Sequence, residues 1–278
     1  MRFLHPLVCC GLLAIVCASS ARSEIDGEKQ IILLGDSTTI GSVPRAVRPA
    51  GPHLEDVIRA QLAARGGLPP CKVINLGMDG EYIQRLLDEG RYDKEIASLK
   101  GIDYIFIRYG LNDMNKRENY VANFPKDLRE LIGRLRKDHP QAVIIPMTLI
   151  AYLPNDELSE LINDGVKHAA KEENLAVFDI FPVSHAERAK NPEMFHYRRY
   201  PLANIPEEYR DLVKDFILND YVVVMDNEFD ATFAHLPNWL SSDYHPNFAG
   251  YQLIGRETAN YLEPLMRSLA HHATPIQH

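Results

Sequence analysis

The chain has 278 residues, of which 46% are hydrophobic and 24% are charged, so its composition is that of an ordinary globular protein. This composition excludes a collagen-like, disulfide-dense or intrinsically disordered chain. The formal net charge is -8, from 30 Lys and Arg against 38 Asp and Glu, and no block of basic residues interrupts it. The charge argues against a nucleic acid or an anionic membrane surface as the main partner and favours a small, neutral substrate.

The first 21 residues have the pattern of a secretory signal peptide. Arg2 precedes an apolar run from Phe3 to Cys17, and small residues follow as far as Ala21. Because the run is too short to span a bilayer comfortably, it favours export and cleavage over a membrane anchor. We therefore expect cleavage near Ala21, a periplasmic or extracellular protein of one domain (22–278), and no integral membrane segment after cleavage.

Cysteine usage fits an exported chain that is stable without disulfides. Three of the four cysteines lie in the leader, so only Cys71 remains and no internal disulfide can form. Cys71 precedes a strand-like run, which favours a half-buried structural thiol over a reactive nucleophile. Stability must then come from burial of the core, which a single domain of this size can supply.

Five apolar runs, bounded by turn residues, alternate with helical patterns along the chain. The runs are near-continuous, as in strands that helices cover on both faces. They lie at 30–34, 72–76, 103–107, 142–146 and 175–180. Apolar residues three and four positions apart predict helices that include Leu54–Leu62, Ile83–Leu87, Phe124–Leu135 and Leu158–Val166, and a last helix at about Phe248–Leu269. The alternation predicts an α/β fold with a parallel sheet and right-handed crossovers.

One segment, about 182–241, interrupts this alternation. It is rich in proline, aromatic and charged residues. Connections inside α/β units usually have roughly 2 to 6 residues, so this segment is predicted to be an insertion with local structure of its own. Insertions of this kind usually lie over the strand ends where ligands bind.

The first predicted strand leads into a loop that carries a candidate nucleophile. The loop reads Leu34-Gly35-Asp36-Ser37-Thr38-Thr39-Ile40-Gly41. Reactive groups of open α/β sheets lie at the carboxyl ends of strands, where Ser37 is placed. A serine hydroxyl needs a neighbouring base and amide donors to act as a nucleophile. Taken alone, the same loop would serve equally well as a phosphate site in a flavodoxin-like protein.

Three further turns place polar groups or glycine at the same predicted edge of the sheet. They contain Gly77 in Asn75-Leu76-Gly77, Asn112 in Gly110-Leu111-Asn112, and His245 in Asp243-Tyr244-His245-Pro246. With Ser37, these four blocks resemble the SGNH (GDSL-type) hydrolases, whose four named residues match Ser37, Gly77, Asn112 and His245 in the required order. The resemblance covers the whole mature chain apart from the insertion, and four ordered blocks are far more specific than any one of them.

The resemblance implies a fold, a reaction and a set of site residues. The fold would be a flavodoxin-like three-layer α/β/α sandwich, with a five-stranded parallel sheet in the order 2-1-3-4-5 and the insertion before the catalytic histidine loop. Ser37 would attack an ester carbonyl, and His245 would act as base and then acid. The N–H groups of Ser37 and Gly77 and the side chain of Asn112 would hold the oxyanion. No metal or cofactor is implied.

The position of the third catalytic residue departs from the family pattern. The family's acid stands three residues before the histidine, where this chain has Ser242, whereas Asp243 stands two before. A carboxylate there fixes the imidazole tautomer and stabilises the imidazolium. We predict Asp243 as the third member of a triad; the alternative is that a backbone carbonyl orients the ring and Ser37 and His245 act as a dyad.

The remaining candidates have structural and functional interpretations. Asp36 and Asp113 are predicted to brace their own loops by accepting backbone hydrogen bonds. Arg108, at the end of a predicted buried strand, either pairs with a buried carboxylate or faces the cleft and binds substrate. Trp239, the only tryptophan, is either a core residue or an aromatic at the cleft rim that stacks on a sugar. The histidines and acidic residues lack the spacing of a zinc or calcium site.

The leading hypothesis is an exported serine ester hydrolase that acts through an acyl-enzyme on a small or glycan-linked ester, with acetyl as the acyl group. An alternative with the same chemistry is a lysophospholipase or thioesterase, which an apolar acyl channel would favour. Two alternatives of another class are a flavin- or phosphate-binding protein and a non-catalytic glycan-binding module. The flavin- or phosphate-binding alternative leaves His245 and the other turns without a role, whereas the displaced acid favours the glycan-binding module.

Overall fold

The computed structural model describes residues 27–151, 155–237 and 244–272. The predicted signal peptide, Trp239 and Asp243 lie outside these ranges. In chain order the strands and helices are β1 (Lys29–Gly35), α1 (Ser37–Ile40), α2 (Ser42–Val47), α3 (Leu54–Ala63), β2 (Cys71–Asn75), α4 (Ile83–Asp88), β3 (Ile102–Arg108), α5 (Leu111–Lys116), α6 (Tyr120–Asp138), β4 (Val143–Pro146), α7 (Asp156–Glu172), α8 (Phe181–Lys190), β5 (Arg199–Pro201), α9 (Arg210–Val213), β6 (Ile217–Leu218), β7 (Tyr221–Val223), α10 (Asn227–Phe233) and α11 (Phe248–His272).

A parallel sheet with the order β2-β1-β3-β4 forms the centre of the molecule. Strands β1 and β3 are buried along almost their whole length, because helices cover both faces of the sheet. The pairing brings Asn75 beside Leu33 and Arg108 beside Gly35, so the carboxyl ends of β1, β2 and β3 lie side by side. The predicted α/β class and the order of the first four strands are confirmed. None of the helices in these ranges is both long and apolar enough to cross a membrane.

The prediction of a fifth strand was wrong. Residues 175–180 meet the sheet only at one isolated bridge, between Met147 and Phe178. There the Phe178 N–H donates to Pro146 O, and the Phe178 carbonyl accepts from Thr148 N–H. Extending a parallel ladder back to Ala176 would need an N–H at position 146, which proline lacks. On the other side the Ile180 N–H turns back to Phe178 O, and α8 begins at the next residue.

The covering helices form where the apolar periodicity predicts them. In α6 the buried side chains recur three and four residues apart, and they face the sheet and the neighbouring helix α7. These residues are Phe124, Leu128, Leu131, Ile132 and Leu135. On the other face α3 packs against α11 and β2. Burying a large apolar side chain contributes roughly 1.5 to 3 kcal/mol, so the central core supplies much of the stability.

The segment between α8 and α11 has a small sheet and a core of its own. Strands β5, β7 and β6 form an antiparallel sheet in that order. Met194 and Phe195 of this segment pack into the cluster around the parallel sheet, whereas its other buried apolar residues form a second hydrophobic cluster. This second cluster includes Tyr197, Tyr200, Ile205, Val213, Phe216, Val222 and Phe233. We call residues 191–237 the insertion subdomain; residues 238–243, which follow it, are not described.

Candidate active site

Ser37 is the first residue of α1, a single helical turn at the carboxyl end of β1. The buried Asp36 carboxylate caps this turn by accepting hydrogen bonds from the Thr38 N–H at 2.9 Å and the Thr38 hydroxyl at 2.8 Å. Gly41 ends the turn with φ 66° and ψ 50°, a left-handed conformation that favours glycine. Together the two ends fix the backbone that carries the Ser37 hydroxyl, as the sequence predicts for Asp36.

His245 reaches Ser37 across 208 residues of sequence. Its Nε2 lies 2.7 Å from Ser37 Oγ, within hydrogen-bond reach. The imidazole is partly exposed, and the ring of Tyr197 from the insertion subdomain lies beside it, with 6.5 Å between ring centroids. A general base in contact with a serine hydroxyl is the arrangement that nucleophilic catalysis requires. Asp243 lies outside the described residues, so its place in a triad stays a prediction.

Asn247 holds the histidine loop in position. Its side-chain oxygen accepts from Gly250 N–H at 3.0 Å, which caps α11, and its Nδ2 donates to Asn227 Oδ1 at 2.6 Å. Its backbone N–H donates to Met194 O, also at 3.0 Å. Asn227 and Met194 lie in the insertion subdomain, so this subdomain and α11 together position His245.

Gly77 lies directly against the serine turn. A Cβ at this position would come within 2.6 Å of Ile40 N and 2.9 Å of Thr39 Cβ, so only glycine fits. The Gly77 N–H donates to Asn75 Oδ1 at 3.1 Å, within a turn that Asn75 closes. An oxyanion role for Gly77 therefore requires that N–H to be shared with, or released from, a neutral amide oxygen. A negatively charged acceptor favours that exchange, because charge-assisted hydrogen bonds are about twice as strong as neutral ones.

Asn112 lies in the first turn of α5 and points toward the same centre. Its Nδ2 is 3.4 Å from Asp36 Oδ2, a long contact that orients the amide group toward the serine turn. An amide nitrogen carries two hydrogens, so one can face Asp36 while the other is directed at a ligand. The position of Asn112 is consistent with its predicted role as an oxyanion donor, which stays a prediction.

Arg108 does not line the cleft. It is buried beneath the serine turn, where its Nη2 donates to Thr38 O at 2.7 Å and to Thr39 Oγ1 at 3.1 Å. The guanidinium therefore holds the backbone of α1 from below, and the interpretation of Arg108 as a substrate-binding residue does not fit this position. The other predicted rim residue, Trp239, lies outside the described residues.

Asp113 follows Asn112 and is buried, as its predicted bracing role requires. Its Oδ1 accepts the Ile83 N–H at 2.9 Å and so ties the start of α4 to α5. Burial raises the pKa of Asp113 to about 7, although the Ile83 hydrogen bond opposes the shift; the nearby charge of Asp36 raises it further. A carboxyl group that titrates near neutral pH thus lies directly behind the site. Its described hydrogen bond is to Ile83 and not to Ser37 or His245.

Sequence reasoning missed a buried ion-pair network behind the Gly77 turn. The Glu81 side chain is 1% exposed, and its Oε2 accepts from Arg91 Nη1 and from the Tyr109 hydroxyl, both at 2.6 Å. Arg91 Nη2 donates to Leu76 O, also at 2.6 Å. Burial raises the pKa of Glu81, and the hydrogen bonds from Tyr109 and Arg91 oppose that shift. No motif marks these three residues, because 10 and 18 positions separate them along the chain (81 to 91, 91 to 109).

A cleft of about 260 Å³ opens over Ser37 and His245. Its described lining includes polar and charged groups from three parts of the chain, as well as the rings of two tyrosines. They are Ser42, Asp79, Arg199, Tyr197 and Tyr251. Two of these residues, Tyr197 and Arg199, come from the insertion subdomain. The insertion therefore forms one wall of the cleft.

A serine hydroxyl in contact with an imidazole, at the carboxyl edge of a parallel sheet, defines the class of the serine hydrolases. Residues 33–253 match the family model of the GDSL-like Lipase/Acylhydrolase family. The chain belongs to this family, and it is a carboxylic ester hydrolase. The resemblance to the SGNH (GDSL-type) hydrolases is thereby confirmed.

Solved structures of esterases and hydrolases share the fold. The crystal structure of Axe2, an acetylxylan esterase from Geobacillus stearothermophilus, has a TM-score of 0.55 at 17% sequence identity, and the match covers 84% of this chain and 94% of that chain. The crystal structure of LAE5, an alpha/beta hydrolase enzyme from the metagenome of Lake Arreo, Spain, has a TM-score of 0.54 at 18% identity, with the same coverage. No curated protein sequence matches the chain significantly.

Proposed function

We propose that this esterase is an exported enzyme that removes acetyl groups from small or glycan-linked esters through an acyl-enzyme on Ser37. The observation that carries the proposal is the 2.7 Å contact between Ser37 Oγ and His245 Nε2. In the proposed reaction Ser37 Oγ attacks the ester carbonyl while His245 takes its proton. His245 then returns that proton to the leaving alcohol, and water hydrolyses the acetyl-serine by the same steps.

Three donors are proposed to hold the oxyanion. They are the backbone N–H of Ser37 at the start of α1, the N–H of Gly77, and the carboxamide of Asn112. Donors placed in advance stabilise developing charge without reorganisation, which makes them a large part of the rate enhancement in acyl transfer. Asp243 is proposed to orient His245 from its second ring nitrogen.

The size and lining of the cleft support a short acyl group. Its volume of about 260 Å³ lies below the range of roughly 300 to 1,000 Å³ that is typical of sites for drug-sized ligands. Ser42, Asp79 and Arg199 put polar and charged groups into this lining. Val43 and Pro44 are its described aliphatic side chains, and they offer little apolar surface to a long acyl chain. A lysophospholipid would need an apolar channel instead. Charged side chains beside the Tyr197 ring suit a hydroxylated alcohol such as a sugar.

A series of p-nitrophenyl esters, from acetate to palmitate, together with acetylated oligosaccharides, tests the substrate proposal. We expect kcat/KM to fall steeply as the acyl chain lengthens, because a long chain would have to lie against the polar and charged groups of a cleft of about 260 Å³. Release of acetate from the oligosaccharides would support the glycan-linked alcohol. Preference for the palmitate ester would overturn the acetyl assignment and favour the lysophospholipase alternative.

Substitutions at the site test the mechanism. Ser37→Ala should abolish turnover while the circular dichroism spectrum stays unchanged, and Ser98→Ala, at an exposed serine, should behave as wild type. Asn112→Ala should lower kcat by ~100-fold or more, as loss of an oxyanion donor does elsewhere. Substantial turnover by the Ser37 variant would refute the nucleophile assignment.

Asp243→Ala distinguishes the triad from the dyad. Loss of the orienting carboxylate costs up to ~10⁴-fold in kcat in a triad enzyme, whereas a dyad enzyme would lose almost nothing. The export proposal rests on the leader-like residues 1–21. Mass spectrometry of the secreted protein should find an N-terminus near residue 22, and an intact Met1 in that fraction would contradict the proposal.

A further inference from the structure

The buried network of Glu81, Arg91 and Tyr109 has no role in the chemistry proposed above. It occupies a costly position, because a buried ion pair loses the hydration of both charges and is often no better than apolar residues for stability. Glu81 and Tyr109 are each 1% exposed. Glu81 Oε2 accepts from Arg91 and from the Tyr109 hydroxyl, and Leu76 O accepts from Arg91; all three hydrogen bonds are 2.6 Å long. We therefore expect the network to hold a specific polar group in one orientation, which apolar packing would not do.

The group that the network fixes is the peptide between Leu76 and Gly77. Arg91 Nη2 donates to the oxygen of that peptide, and its N–H is the Gly77 donor. A trans peptide is planar, with its C=O and N–H pointing in opposite directions, so holding the oxygen sets the direction of the N–H. Leu76 N–H and Met78 N–H are bonded to the backbone of β1, at Leu33 O and Gly35 O. The turn is thereby held to β1 on both sides of Gly77.

We propose that Arg91 is a positioning residue: anchored by Glu81 and Tyr109, it holds the Leu76 carbonyl and so fixes the direction of the Gly77 N–H, which donates to Asn75 Oδ1 at 3.1 Å and is shared with the oxyanion when that forms. This proposal rests on the proposed function, because it takes Gly77 as an oxyanion donor. The cation also polarises the peptide, which strengthens the Gly77 N–H as a donor to a negative charge. Two further residues keep Arg91 in place. Glu95 accepts from Arg91 Nε at 2.9 Å, and Tyr109 acts indirectly, through its hydrogen bond to Glu81.

Two variants of Arg91 test the proposal. Arg91→Met removes the hydrogen bonds to Glu81, Glu95 and Leu76 O, whereas Arg91→Lys keeps a cation beside Glu81 but has a single ammonium in place of three guanidinium nitrogens. For each folded variant we expect kcat on p-nitrophenyl acetate to fall roughly 10- to 100-fold at unchanged KM, with Lys less impaired than Met. Arg85→Met is the matched control: it removes an arginine that pairs with Glu89 at 2.9 Å on the neighbouring helix surface, and kcat should stay within about twofold of wild type.

A second readout follows the peptide itself. In a ¹H–¹⁵N spectrum the Gly77 amide resonance should move in Arg91→Lys, and stay in place in Arg85→Met. Affinity for a boronic acid that forms a tetrahedral adduct with Ser37 should fall in parallel with kcat, while affinity for acetate should stay constant. A merely structural role would lower the melting temperature without changing the ratio of these two affinities.

The outcomes separate this proposal from the proposed function. If wild type shows no Ser37-dependent turnover, the proposed function fails, and the Gly77 resonance alone decides whether Arg91 orients the peptide. If wild type turns over and a folded Arg91→Lys keeps wild-type kcat, boronate affinity and Gly77 shift, the positioning role is overturned and the esterase assignment stands.

Discussion

Asp113 gives a direct test of how burial at the site shapes the pH dependence of stability. Its carboxyl is buried behind Asn112, and burial raises its pKa from the ordinary 3.8 to about 7. The folded state therefore holds a proton on Asp113 that the unfolded state has released between these two pH values. The contribution of Asp113 to stability is fully present below pH 3.8 and declines as the pH rises to about 7.

The size of the effect follows from the two pKa values. A difference of one pH unit corresponds to about 1.4 kcal/mol, so the whole shift is worth roughly 4 kcal/mol, and roughly 2 to 3 kcal/mol of it falls between pH 5 and pH 8. Asp113→Asn removes the titration. Its side-chain oxygen can still accept the Ile83 N–H, which in wild type bonds Asp113 Oδ1 at 2.9 Å.

The assay is urea unfolding of wild type and Asp113→Asn at pH 5, 6, 7 and 8. We expect the free energy of unfolding of wild type to drop relative to the variant by roughly 2 to 3 kcal/mol across this range, because all other titrations cancel in the comparison. Asp93→Asn, at an exposed carboxylate that water hydrates in both states, is the control and should run parallel to wild type. A difference between wild type and Asp113→Asn that is independent of pH would refute the reasoning.

Three further predictions concern single side chains. Gly77→Ala places a Cβ 2.6 Å from Ile40 N, so the turn must shift, and kcat should fall at least ~10-fold in a steady-state assay. The Tyr251 hydroxyl is buried and has no hydrogen-bond partner in the described part of the chain, so Tyr251→Phe should leave the urea midpoint unchanged or raise the free energy of unfolding by about 1 kcal/mol. Burial raises the pKa of Cys71 to about 11, so iodoacetamide at pH 8 should modify the native thiol roughly 100-fold more slowly than the unfolded one.

Periodicity was enough to predict the central sheet, because buried parallel strands have near-continuous apolar runs that local sequence reveals. Periodicity wrongly predicted a fifth strand at residues 175–180, because their apolar run is like those of the other strands. What stops that strand is the missing N–H of Pro146, a residue of the partner strand more than 25 positions away. The apolar pattern of one segment does not show which backbone N–H groups the neighbouring strand can donate.

The site also contains residues that the sequence could predict and residues that it could not. Ser37, Gly77, Asn112 and His245 could be found because each stands in a short ordered block, and the structure brings Ser37 and His245 into contact. The Arg91 network could not be found, because Glu81 lies in the loop before α4, Arg91 lies just before a short π-helix (Tyr92–Ile96), and Tyr109 directly follows β3. Nothing in a lone Glu, Arg or Tyr distinguishes a buried hydrogen-bonded group from an exposed one. For Arg108 the sequence predicted the position at the end of a strand but left open whether its side chain is buried or faces the cleft. The fold decides this, because it places the guanidinium under the serine turn.

The insertion does more than lie over the cleft. Asn247 joins α11 to Asn227, and the backbone N–H groups of Asn247 and Phe248 donate to Met194 O and Met225 O. Three of the bonds that place the histidine loop therefore end on the insertion subdomain, in which Met194 packs into the central cluster and Met225 into the second one. The serine turn is held by Arg108 of β3, which donates to Thr38 O, and by Asn75 of β2, which donates to Thr39 O. Val43 and Val47 of α2, which follows the turn, pack against the second cluster. Residues of both clusters thus contact the elements that carry the nucleophile and its base, and the 2.7 Å contact between Ser37 and His245 depends on how the two clusters are docked.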